Sequence, residues 1–134
     1  MIDSFNQYYA ENYHPSWLNC LDESMRTWLN KFCPGFMCVP RKPHPFGNEY
    51  LTVCCAQSGI MFAVEMVEGK DRPRELAVPE FSSYGKTAGL MLRMLKSYFG
   101  AGKYVILDSG FCVLKAIIKL KRRGIYSCAL IKKR

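Results

Sequence analysis

The spacing of apolar and polar positions changes several times along the chain, and each change predicts an element. Residues 2–13, rich in Tyr and Asn, read as a short helix that Pro15 breaks. In "WLNCLDESM", residues 17–25, period-two alternation predicts a strand with Leu18, Cys20 and Asp22 on one half-buried face. Pro34, Pro40, Pro43 and Pro45 follow within a short span. Proline removes backbone donors and disfavours helix, so this stretch is expected to be an ordered loop or a broken edge segment. "YLTVCC" and "IMFAVEM" then read as two strands joined by "AQSG", a hairpin in which Gly59 supplies the permissive backbone dihedrals. The charged "EGKDRPREL" predicts an exposed loop.

From Lys86 to Phe99 the spacing lengthens: Ala88, Met91, Leu92, Leu95 and Phe99 recur at three and four residues, one face of a helix that Gly100 and Gly102 end. "KYVILD", residues 103–108, reads as a buried strand. Helical spacing resumes from Cys112 to Arg123, with Val113, Ala116, Ile117 and Leu120 on one side and Lys115, Lys119, Arg122 and Arg123 on the other. Gly124 is a natural stop before a last strand, "IYSCALIK". The order βββαβαβ predicts an α/β fold with a mixed sheet. Its antiparallel meander comes first, and right-handed crossovers lay the fourth strand parallel beside the first.

That topology changes the meaning of two acids. It places Asp22 and Asp108 on neighbouring central strands, where two carboxylates distant in sequence share one metal site. Carboxylates suit Mg²⁺ or Mn²⁺, and paired ions clamp the attacking and leaving oxygens of a phosphoryl displacement. The competing account makes Asp108 and Ser109 turn residues that cap the next helix.

Charge sharpens the choice of partner. The formal net charge is +8, and residues 109–134, which contain no acid, carry the whole excess. A one-sided basic segment suits a polyanion, with nucleic acid ahead of an anionic membrane, although a solvated helix face has the same composition. No apolar run is long enough to span a bilayer and the opening residues lack a signal-peptide pattern, so an intracellular, non-secreted protein is expected. The seven cysteines do not form regular metal-ligand pairs, and reduced thiols are expected rather than zinc. "GKT" at 85–87 lacks the upstream glycine and strand of a phosphate-binding loop.

The motifs around the two aspartates carry a resemblance. "YHPSWLNCLDESM", "VPRKPHPFGNEY" and "KYVILDSGF", in that order, resemble segments of the piggyBac-like transposases and the proteins derived from them, over roughly residues 5–134. The resemblance implies an RNase H-like fold, with a lead-in segment over 1–17 and a partial catalytic domain over 18–134, truncated before the last helix. It implies that Asp22 and Asp108 match the first two of three catalytic aspartates of a DDD/DDE-type enzyme. Such a pair binds Mg²⁺ or Mn²⁺ for DNA strand cleavage and joining at transposon ends, in a nuclear protein that dimerises at full length. Arg41, Lys42, Lys115, Lys119, Arg122 and Arg123 are the expected phosphate contacts. Two departures accompany it: Glu49 stands where many members have a basic residue, and no acid follows Asp108 to match the third aspartate. Little or no strand cleavage by the isolated chain is therefore expected, and a non-catalytic, domesticated nucleic-acid-binding or interaction module is the alternative.

Overall fold

The computed structural model of the chain describes residues 1–68 and 79–131, without the side chains of Pro79 and Glu80. The expected "EGKDRPREL" loop lies almost wholly outside the described residues. Helix α1 spans Ile2–Asn12, and strands β1 Leu18–Thr27, β2 Phe36–Cys38, β3 Phe46–Cys55 and β4 Met61–Met66 follow. Helix α2 spans Lys86–Leu95, strand β5 Lys103–Leu107, helix α3 Leu114–Arg122 and strand β6 Ile125–Ala129, with short 3₁₀ turns before α2, after α2 and before α3.

The six strands form one mixed sheet in the order β2-β3-β1-β5-β6, with β4 also on β3. β1 pairs β3 antiparallel and β5 parallel, and β6 runs parallel to β5. This is the predicted arrangement, with the fourth long strand beside the first. The proline-rich stretch holds β2, a three-residue strand at the sheet edge that pairs with the start of β3. An edge position tolerates the neighbouring prolines because its outer backbone groups need no ladder partner. The outer edge of β4 is covered by α1, where the Asn6 amide accepts from Val64 N–H at 2.8 Å and donates to Val64 C=O at 2.7 Å.

One face of the sheet is packed and the other is open. Leu21, Leu51, Val53, Phe62, Val105, Leu107 and Ile125 turn toward α2 and α3, where they meet Met91, Leu92, Leu95, Ala116 and Leu120. The opposite face carries Leu18, Cys20 and Asp22 on β1 and Tyr104 and Ile106 on β5. One expectation is corrected here: the strand "KYVILD" is buried on one face only, with Tyr104 and Ile106 about half exposed. Leu18, Cys20 and Asp22 share one face of β1, half-buried at Leu18 and Cys20 and exposed at Asp22, while Asn19 and Leu21 face the core. Buried Asn19 donates its amide to Ser16 C=O at 3.2 Å and Tyr104 C=O at 3.5 Å, while its Oδ1 is buried without a protein partner.

Helix α2 is buried beyond the single predicted stripe: Gly89, Leu90 and Met94 are buried with Ala88, Met91, Leu92 and Leu95. It stops at Leu95, short of the predicted Phe99, because the last turn tightens into a 3₁₀ segment over Lys96–Tyr98. Arg93 ties this helix to β4 through a buried two-pronged ion pair, Nη2 to Glu65 Oε1 at 2.7 Å and Nε to Oε2 at 3.2 Å. Close backbone approaches fix two glycines. A β-carbon at Gly47, φ +154°, would lie 1.9 Å from Arg26 C=O, and one at Gly124, φ +71°, would lie 3.0 Å from Gly100 Cα.

Candidate active site

Parallel pairing sets the relation of the two aspartates. The β1–β5 ladder ends on Leu21 opposite Leu107, both buried. Asp22 is the next residue of β1, and Asp108 is the first residue after β5. Alternation turns the Asp22 side chain to the open face, at the end of the ladder where Asp108 leaves β5. Both are exposed.

Local hydrogen bonds explain why the carboxylates remain available. Asp108 has extended dihedrals, φ −68° and ψ 168°, and its C=O accepts from Phe111 N–H at 3.0 Å while its side chain makes no capping bond. Helix α3 begins only at Leu114, after Val113, which has no capping side chain. A 3₁₀ turn over Ser109–Phe111 precedes the helix in place of the predicted start at Cys112, so Asp108 and Ser109 are turn residues, as the competing account has it, but neither occupies the N-cap of α3. Asp22 accepts one bond, from Glu23 N–H to Oδ1 at 2.7 Å. Among the described residues, no three His, Cys, Asp or Glu side chains converge to hold a metal ion.

Around Asp22 the open face is polar. Thr52, its direct partner on β3, donates to Asp22 C=O at 3.4 Å. A shallow concavity of about 240 Å³ is lined by Ser24, Arg26, Tyr50, Thr52, Met61 and Val64. Arg26 was not among the expected basic contacts, although its position four residues after Asp22 on one strand places it on the same face. Burial, together with the Asp22 charge, pushes up the thiols of both Cys20 and Cys54.

Behind Asp22, on the helix side, stands a second carboxyl pair. Burial pushes the Glu49 carboxyl up, and the Glu23 carboxylate beside it pushes it further, against the opposing charges of Lys42 and Lys86. Glu23 Oε1 lies 4.0 Å from the position a β-carbon would take on Gly110, the residue two after Asp108. Glu49 is the departure from a basic residue noted in the sequence, and here it is a half-buried partner of Glu23.

The six expected basic contacts come from two segments, the turn after β2 and the end of the chain around α3. Arg41 and Lys42 lie in the turn after β2, where Lys42 N–H donates to Val39 C=O at 3.0 Å. Lys115 is exposed, with Nζ 3.4 Å from the β-carbon position of Gly85. Lys119 sits 5.2 Å over the Tyr84 ring, and Arg123 lies 5.2 Å over Phe99 and 5.8 Å over Phe81. Those two cations are packing elements of the helix layer, while Lys121 and Arg122 point outward.

Comparison with known proteins follows the same lines. The family model described as Transposase IS4 matches residues 1–134. A solved structure titled as the piggyBac transposase synaptic complex with hairpin DNA superposes with a TM-score of 0.77 at 19% identity. The match covers 98% of this chain and 26% of that one. The shared fold is the mixed sheet expected from the element order, consistent with the RNase H-like fold that the resemblance implies. No curated protein matches the chain in sequence. No helix among the described residues is long and apolar enough to cross a membrane.

Proposed function

For a chain that belongs to the Transposase IS4 family, we propose that the exposed carboxylates Asp22 and Asp108 are the two acids of a divalent-metal site for DNA strand cleavage and transfer. The single observation that supports this is the parallel register of β1 and β5, which ends on Leu21 opposite Leu107, one residue before each aspartate. The donor set fits Mg²⁺ or Mn²⁺: both ligands are hard oxygens, both are solvent-accessible, and neither is spent on capping. Mg²⁺ sites commonly use one or two carboxylates and take their remaining ligands from water and substrate phosphate, so two acids suffice to recruit the ion. When bound, such an ion polarises a phosphoryl oxygen and lowers the pKa of an attached water.

The chain's own residues supply binding and orientation. The Glu23 amide fixes one oxygen of Asp22, and the β3 ladder holds the strand beneath it. Arg26, on the same face, is placed for a backbone phosphate, and exposed Lys121, Arg122 and Lys115 extend a basic surface on α3. Arg41 and Lys42 contribute at the β2 end. Phosphate contacts of this kind fix register on DNA and carry no sequence information. A nuclear location, dimerisation and recognition of transposon ends belong to the same proposal for the longer protein.

With no acid after Asp108 to match the third aspartate, we expect the isolated domain to bind Mn²⁺ and to cleave DNA poorly or not at all. The test is thermal denaturation with and without Mn²⁺. The expected result is a metal-dependent rise in Tm that Asp22→Asn and Asp108→Asn each remove. A rise that survives both substitutions would place the ion elsewhere. The absence of any three-acid cluster among the described residues favours one second reading, a non-catalytic DNA-binding module. That reading predicts salt-sensitive DNA affinity unchanged by divalent metal.

A further inference from the structure

The open face also carries a row of sulfur ligands that the acidic pair does not use. Cys20 of β1 is the direct partner of Cys54 of β3, and Cys54 is in turn opposite Met61 of β4. All three face the open side, because their neighbours Leu21 and Val53 are fully buried and Phe62 is nearly so. Both cysteines are free and half-buried, and Met61 is 37% exposed. Soft sulfur donors thus stand on three adjacent strands, one rung below Asp22.

The type of rung decides what these thiols are spaced for. Ala56 N–H donates to Leu18 C=O at 3.0 Å, and Trp28 N–H donates to Phe46 C=O at 3.3 Å. Leu18 with Ala56 and Trp28 with Phe46 extend the same register at its two ends, so the even-numbered residues of β1 occupy hydrogen-bonded rungs. Cys20 and Cys54 are such a pair. Hydrogen-bonded partners stand about 5.5 Å apart at Cα, with β-carbons at the wide end of about 4.5–5.5 Å. A disulfide would draw those β-carbons to about 3.5–4.5 Å and strain the ladder. Two metal–sulfur bonds of about 2.3 Å each bridge the wider gap without moving the strands.

We propose that Cys20 and Cys54, with the Met61 thioether alongside, form a binding site for a soft monovalent metal ion of the copper(I) class. Thiolate and thioether select such ions, while Mg²⁺ and Mn²⁺ prefer the carboxylates, so the two sites on this face sort cations by hardness. Binding is a substitution without redox change: two sulfur–hydrogen bonds break, two copper–sulfur bonds form, and two protons leave to solvent. The bis-thiolate complex carries one net negative charge next to Asp22.

The test uses the full chain carrying Cys33→Ser, Cys38→Ser, Cys112→Ser and Cys128→Ser, titrated anaerobically with Cu(I) against bicinchoninate. The expected result is one Cu(I) retained per chain, with sulfur-only ligation by X-ray absorption. Retention is lost in Cys20→Ser and in Cys54→Ser, weakened in Met61→Leu and unchanged in Asp108→Asn. X-ray absorption on the parent keeps the test decisive if a serine variant does not fold. Failure to hold Cu(I) against the chelator, or retention by both folded serine variants, overturns the proposal. So does a Cys20–Cys54 disulfide that forms spontaneously in air, seen as a loss of two hydrogens by mass, because it would refute the spacing argument. None of these outcomes bears on Mn²⁺ binding by Asp22 and Asp108.

Discussion

Replacing Arg93 with Met isolates the contact that fastens α2 to the sheet. The guanidinium and the Glu65 carboxylate have side-chain exposures of 6% and 12%, and they meet through two hydrogen bonds. Met keeps the unbranched stem but leaves the Glu65 carboxylate buried without its cation. Breaking a buried pair from one side costs about 3–5 kcal/mol, because the surviving charge keeps its desolvation penalty and loses its partner. A chain of this length is expected to have about 7–20 kcal/mol of stability in total, so the substitution removes a large share. Near Tm the loss corresponds to a fall of roughly 10–20 °C. Urea denaturation of Arg93→Met, Glu65→Leu and the double variant measures it. Removing both charges lets apolar groups fill the same space, so the double variant is expected to recover most of the loss. A cost below about 1 kcal/mol for Arg93→Met, the range of exposed pairs, would refute the argument.

Three other outcomes follow from the site and its surroundings. Glu49 has a raised carboxyl pKa in the fold, so its contribution to stability is fully present at acid pH and is lost as pH rises through the folded value. Glu49→Gln should therefore raise Tm at pH 7 and converge with the parent near pH 4; a pH-independent difference would count against the Glu23–Glu49 pairing. Leu120 is fully buried, and Leu120→Ala should cost about 2–5 kcal/mol in urea denaturation through the cavity it leaves. Arg122→Ala should flatten the slope of log affinity for duplex DNA against log salt by about 0.9 if that side chain meets one phosphate, whereas Arg123→Ala, which removes a cation packed over Phe81 and Phe99, should lower Tm instead.

The sequence made the order of long elements readable because period two and period 3.6 are distinct and Gly100, Gly102 and Gly124 separate them sharply. The parallel neighbours β1 and β5 followed from strand–helix–strand chirality. What alternation could not decide was which face is the core. On β1 both faces are mixed, with Leu18 and Cys20 on one and Asn19 and Leu21 on the other. Only the packing of α2 and α3 against Leu21 settles the choice. β2 was legible only as a broken edge segment or a loop, because three residues carry no usable period and its proline neighbours disfavour a regular strand. Arg26 was legible in principle, two positions beyond Ser24 on the face of Asp22, but its strand was read as ending earlier. The engagement of Lys119 and Arg123 with aromatic rings depends on the 3₁₀ turn over Pro79–Tyr84, a contact between segments far apart in sequence that helical spacing alone does not contain.

The most direct measurement is the position of Mn²⁺ by anomalous diffraction from crystals of this chain soaked in the metal. A peak contacting the carboxylates of both Asp22 and Asp108 on the open face is the predicted result. A peak at Glu23 and Glu49, or no peak at the end of the β1–β5 ladder in a well-ordered crystal, would contradict the account.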